Sequence, residues 1–145
     1  MATFERHVDV EWSGSVMDGG GTAKAGTGAF SLPVTFPSRI GEPAGKTSPE
    51  ELMAASHAAC YAMALNATVG RKNGAIGKTH ITCTITALFE NGIKIQKSTL
   101  DVVAEGLTGI APGDFDAVAK EAEGGCPVSN ALRGSLEIEV KTSVK

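Results

Sequence analysis

The chain has 145 residues, 42% hydrophobic and 20% charged, with a formal net charge of −3. That length and balance suit one folded domain with a packed core and exclude a disordered chain. Lysines and arginines form no run, which argues against nucleic-acid binding, and the one long apolar stretch, residues 52–65, is too short to span a bilayer.

The chain opens with Val8, Val10 and Trp12 alternating with His7, Asp9 and Glu11, the pattern of a half-buried strand. Gly19-Gly20-Gly21 marks a turn, and shorter strands are expected over 22–25 and 30–34. Residues 35–47 read as a loop carrying Arg39. A helix start follows: Ser48 fits the N-cap, Pro49 the first helical position and Glu51 the capping-box position three residues on. Residues 52–69 are apolar on nearly every side, so this helix should be buried in a core or against another subunit. Its small residues (Ala54, Ala55, Ser56, Ala58, Ala59, Ala62, Ala64) would let a second helix approach closely.

Ile81, Cys83, Ile85, Ala87 and Phe89 alternate with His80, Thr82, Thr84, Thr86 and Leu88 in a strand. Asn91-Gly92 is a hairpin signal leading to a second strand over 93–105, with a bulge expected near Ser98, where the alternation changes. Residues 114–123 should form a helix with Phe115, Val118, Ala119 and Ala122 on one stripe, ended by Gly124-Gly125. Pro127 suits the first turn of a short helix reaching about Leu132, with Cys126 at its cap. Leu136, Ile138 and Val140 alternate with charged residues in a last strand. No repeat, linker or low-complexity tract divides the chain, so a single α+β domain over 1–145 is expected.

Three cysteines, an odd number, and an N-terminus without a secretory pattern point to a reducing cytoplasm and working thiols, not a disulfide scaffold. Cys126 at a helix entrance lies near unpaired N–H groups and the positive end of the helix dipole. Its local sequence is equally consistent with a reactive thiol and with a small buried hydrophobe. Cys60 lies about three turns into its helix, beyond the reach of that dipole, and local sequence favours a structural role. For Cys60 to react, a cation must come from elsewhere. Arg39, flanked by Pro37 and Gly41, is a candidate, and the alternative for any loop arginine is a solvated charge. Glu51 serves the capping box, which leaves Glu50 to pair with an arginine. Cys83 shares the apolar face of Ile81 and Ile85 and reads as core. His57, one turn before Cys60, reads first as a satisfied buried histidine and second as a base or ligand. No Cys/His spacing fits a zinc site, and no phosphate-binding or dinucleotide loop is present, so neither metal nor cofactor is expected.

Three stretches carry a wider resemblance: Ser48-Pro49-Glu50-Glu51-Leu52, His57-Ala58-Ala59-Cys60-Tyr61-Ala62-Met63-Ala64-Leu65 and Gly125-Cys126-Pro127-Val128-Ser129. With them the chain resembles, over essentially its whole length, the OsmC/Ohr thiol peroxidases. The absence of an arginine between Arg6 and Arg39, together with His-Ala-Ala-Cys before the cysteine, resembles the OsmC branch; Leu132-Arg133-Gly134 is somewhat Ohr-like. The resemblance implies an intertwined homodimer with mixed sheets wrapped around long central helices and sites at the subunit interface. It implies a peroxidatic role for Cys60, a resolving role for Cys126, an activating role for Arg39 and a supporting role for Glu50. It further implies reduction of organic hydroperoxides, and less efficiently of hydrogen peroxide, through a Cys60 sulfenic acid and a Cys60–Cys126 disulfide recycled by a dithiol reductant, lipoyl-type or other. This reverses the ranking of the two cysteines that local sequence gives. Met53, Tyr61 and Phe115 are apolar neighbours that could favour an alkyl peroxide. The alternatives are a non-catalytic thiol redox sensor and a stress-induced binding protein with incidental thiols.

Overall fold

The computed structural model describes residues 2–145. These group into two compact units, one ending at Pro49 and one spanning Glu50–Lys145.

The N-terminal unit is an antiparallel sheet in the order β1-β2-β3, formed by Val8–Ser13 (β1), Gly20–Ala25 (β2) and Ser31–Val34 (β3). β1 departs from expectation, because all six of its residues are exposed, Val10 at 64% and Trp12 at 41%. Its alternation is real, but neither face is covered enough to bury a side chain. Residues 35–47, expected to be loop, contain a short helix, Phe36–Ile40 (α1). Thr35 caps it: its backbone is extended and its Oγ1 accepts the Ser38 N–H at 3.2 Å. Pro37 is tolerated in that first turn, where no intrahelical donor is needed.

The 23-residue helix Pro49–Arg71 (α2) starts where the sequence places it, with Glu50 and Glu51 in its first turn. Its burial is one-sided. His57, Tyr61, Leu65, Thr68 and Val69 are buried at helical spacing, while Met63 is 73% exposed. The all-round burial that the sequence suggests is therefore not reached within one chain.

A long hairpin joins Ala75–Phe89 (β4) to Ile93–Thr108 (β5). Asn91 and Gly92 both take positive φ at its tip, 54° and 111°, as this turn demands. Thr86 pairs with Lys97 but Ala87 with Ile95, so the ladder has an irregularity beside Gln96, two residues from the expected position. Glu137–Val144 (β6) runs parallel to β5, with Val140 opposite Leu100, which makes this sheet mixed, in the order β4-β5-β6. On β5, Ser98, Leu100, Val102 and Ala104 alternate into the interior.

After a 3-10 turn at Pro112–Asp114, Phe115–Gly124 (α3) buries Phe115, Val118, Ala119 and Ala122, the stripe read from sequence. Gly125 ends α3, and Pro127–Leu132 (α4) follows with Cys126 as its N-cap. The core of this unit is Tyr61, Leu65 and Val69 of α2 against Leu100, Val102 and Ala104 of β5 and the α3 stripe, with Cys126 among them. Tyr61 and Phe115 are 0% and 1% exposed, so both belong to this core and not to a wall facing substrate.

Candidate active site

The turn between α3 and α4 is tied at several points. The Cys126 N–H donates to the Glu123 carbonyl at 3.2 Å, and the Asn130 N–H donates to the Cys126 carbonyl at 2.9 Å. Asn130 Nδ2 donates to the Gly124 carbonyl at 3.2 Å, and Arg133 Nη2 donates to Asn130 Oδ1 at 3.1 Å. Arg133 also meets the Glu123 carboxylate at 2.9 Å, closing the turn across its base. Cys126 is thus held in a defined place with 0% exposure.

Cys60, on the same side of α2 as the buried His57, packs against that core and is partly buried. All three cysteines are free thiols. Cys60 and Cys126, 66 positions apart in the chain, meet in the same core cluster, where Cys126 bears on the Cys60 thiol and the Val128 N–H favours its thiolate. That N–H is one of the unpaired donors at the start of α4. The helix entrance that the sequence offers to Cys126 therefore serves Cys60, and Cys126, although it is the N-cap, uses no side-chain cap bond. Burial nevertheless dominates: it pushes the Cys60 thiol above its usual value, Val128 opposes that, and Cys126 adds to it. These neighbours leave Cys60 protonated at neutral pH, so activation calls for a cation, as the sequence reading requires.

Behind the two thiols runs a buried polar chain. His57 Nδ1 bonds Ser98 Oγ at 2.6 Å, and Nε2 bonds Ser129 Oγ at 2.7 Å. Cys83 Sγ lies 3.2 Å from Ser98 Oγ and 4.0 Å from His57 Nδ1. His57 is the satisfied buried histidine that the sequence favours. Burial lowers its pKa, and the Glu123 carboxylate pulls the other way. Cys83 is half-buried in the core cluster, and burial raises its thiol pKa against the Ser98 hydrogen bond. Sequence reasoning missed Ser98 and Ser129. The signal for Ser129 was its place one turn after Cys126; nothing in the sequence pointed to Ser98.

Arg39 sits in α1 of the N-terminal unit, where it lines a cavity of about 360 Å³ with Trp12, Val16, Val34, Thr35, Phe36 and Pro49. Glu50 opens the second unit in the first turn of α2. Among the described residues, no cluster of three His, Cys, Asp or Glu side chains is arranged to hold a metal ion, and no helix is long and apolar enough to cross a membrane.

The chain belongs to the OsmC family: the family described as OsmC-like protein matches residues 41–141. Among its relatives is Peroxiredoxin OsmC of Escherichia coli (strain K12), 30% identical over 139 residues that cover 94% of this chain and 96% of that one. Organic hydroperoxide resistance protein OhrA of Bacillus subtilis (strain 168) is 29% identical over 97 residues, 67% of each chain. Two solved structures share the fold. The organic hydroperoxide resistance protein OsmC of Legionella pneumophila superposes with a TM-score of 0.75 at 24% identity, over 99% of both chains. OhrB of Bacillus subtilis superposes with a TM-score of 0.73 at 24% identity, over 94% of this chain and 98% of that one. The expected α+β class with mixed sheet and long helix is the fold observed.

Proposed function

We propose that this chain reduces organic hydroperoxides with Cys60 as the attacking thiol and Cys126 as the resolving thiol. It is a cysteine-based peroxidase of the OsmC family. The observation that supports the residue assignment is the packing of Cys60 against the core cluster that holds Cys126, with Cys126 and the Val128 N–H both bearing on its thiol.

Arg39 supplies the positive charge that the surroundings of Cys60 lack, and Glu50 orients the guanidinium through a carboxylate pair. The Cys60 thiolate attacks the terminal peroxide oxygen and the O–O bond breaks. The departing alkoxide takes up the proton that the thiol lost and leaves as the alcohol. Sulfur, oxidised by two electrons, becomes a sulfenic acid. The Cys126 sulfur then attacks Cys60, and its proton leaves with the sulfenic hydroxyl as water. A dithiol reductant restores both thiols by two exchanges and is itself oxidised to a disulfide. The partly buried setting suits an alkyl peroxide better than hydrogen peroxide. The working form is a cytoplasmic homodimer in which the whole chain acts as one OsmC-like domain; the exposed Val8, Val10 and Trp12 of β1 and the exposed Met63 of α2 support a covering partner copy.

The test combines turnover and mass. With cumene hydroperoxide and a dithiol, the wild type should consume many equivalents, which a sensor oxidised once per protein would not. Cys60→Ser should consume none, and Cys126→Ser should stop after about one equivalent per site, the stoichiometry of a sulfenic acid without a resolving thiol. After one equivalent, peptide mass spectrometry should find residues 60 and 126 linked. If Cys83→Ser behaves like Cys60→Ser, the assignment is wrong.

A further inference from the structure

The pair His57 and Ser129 has a geometry that a merely satisfied core does not require. His57 precedes Cys60 by three residues on α2, so the two side chains share one helix face. Ser129 follows Cys126 by three residues, within the single turn that opens α4. The 2.7 Å bond from His57 Nε2 to Ser129 Oγ therefore ties α2, which carries Cys60, to α4, which Cys126 caps, one turn from each cysteine. Both partners are 0% exposed, so no water can take the place of either. The ring cannot swing, because Nδ1 is held by Ser98 on β5, the central strand of the sheet.

We infer that His57 and Ser129 are positioning residues for the resolving step: their hydrogen bond fixes α4 against α2 so that Cys126 faces the Cys60 sulfur. This rests on the proposed peroxidase reading. A hydrogen bond between neutral groups is short and directional, and disulfide closure tolerates little error, with Cβ atoms about 3.5–4.5 Å apart. Apolar side chains of equal volume would fill the same space without setting that register. A slip of α4 would also displace the Val128 N–H, which favours the Cys60 thiolate, so the one bond bears on both thiols.

The experiment separates attack from closure. Oxidise reduced protein with one equivalent of cumene hydroperoxide, quench with an alkylating reagent at intervals, and read sulfenic acid and disulfide by intact mass. Ser129→Ala should leave sulfenic-acid formation within about twofold of wild type but slow disulfide closure by about three- to tenfold, the worth of one neutral hydrogen bond. With excess peroxide the stalled sulfenic acid should pass on to sulfinic acid. Ser129→Thr keeps the hydroxyl and should restore closure. Tyr61→Phe is the control for general loosening: it removes a comparably buried bond, Tyr61 hydroxyl to the Ala119 carbonyl at 2.7 Å, one turn along the same helix but directed to α3. It should not slow closure. If Ser129→Ala does not fold, His57→Gln takes its place with the same expected delay. The inference falls if Ser129→Ala closes at the wild-type rate, if Ser129→Thr closes no faster than Ser129→Ala, or if Tyr61→Phe delays closure as much as Ser129→Ala. Loss of sulfenic-acid formation in the wild type would instead overturn the peroxidase reading.

Discussion

Removing the hydroxyl of the single tyrosine, Tyr61→Phe, tests the core packing between α2 and α3 without touching sulfur. Tyr61 is wholly buried and donates to the Ala119 carbonyl at 2.7 Å, so it ties α2 to α3 within the core. Loss of the bond, with a buried carbonyl left short of a partner, should cost about 1–3 kcal/mol near neutral pH. Burial raises the phenol pKa far above its ordinary value, and the nearby Glu123, Cys126 and Asp116 add to it. The sign follows. Below about pH 10 the phenol is protonated in both states and the native bond contributes fully. Above it the unfolded chain ionises while the native chain does not, so stability falls by up to about 1.4 kcal/mol per pH unit. The gap between wild type and Tyr61→Phe in urea unfolding should therefore shrink by about 1.4 kcal/mol between pH 9 and pH 11. Cys60, Cys83 and Lys97, whose pKa values are also raised, are common to both proteins and drop out of the difference. With one tyrosine in the chain, tyrosinate absorbance reads the phenol directly: native protein should show none at pH 11, and urea-unfolded protein should be largely ionised there. Parallel stability curves, or a native titration near pH 10, would refute the sealed position assigned to this residue.

Acid should act through His57. Its folded pKa is lowered, first by burial, so the neutral ring is favoured and no penalty exists above the unfolded value near 6.5. As pH falls below that value the unfolded chain takes up the proton first; the urea midpoint should drop between pH 7 and pH 5, and His57→Gln should flatten the drop. Phe115→Ala, which empties a site only 1% exposed, should cost about 3–5 kcal/mol by the same unfolding measurement, and a loss below 1 kcal/mol would contradict its place in the core. On the proposed mechanism, Arg39→Ala should raise the Cys60 thiol pKa, read by the pH dependence of alkylation, and slow the first oxidation; an unchanged profile would remove Arg39 from the reaction.

Local patterns were legible where one residue type answers one backbone demand. Asn91-Gly92 marked the hairpin tip, Gly125 the end of α3, and the spacing of Phe115, Val118, Ala119 and Ala122 the buried stripe. The short helix α1 was missed because its signal is one hydroxyl, Thr35 capping Ser38, inside a stretch rich in proline and glycine. The exposure of β1 was misread because alternation reports which residues share a face, not whether anything covers it. At the site, position along each helix was readable but the meeting of helices was not. The sequence showed free donors at the start of α4, and only the fold brings one of them, the Val128 N–H, to bear on Cys60. Ser98 lies 41 positions from the histidine it contacts, a distance that no local pattern encodes.

On the proposed mechanism, the unequal exposure of the two sulfurs would give a Cys60–Cys126 disulfide a polarity. Cys126 sits at 0% exposure behind its helix cap, whereas Cys60 remains partly open. An incoming reductant thiolate must approach in line with the S–S bond, so the open sulfur is the one that becomes bonded to it and the shielded one departs. Recycling should thus pass through a mixed disulfide on Cys60. The same shielding keeps Cys126 away from bystander thiols, so the couple answers to a reductant slim enough to reach one sulfur head-on.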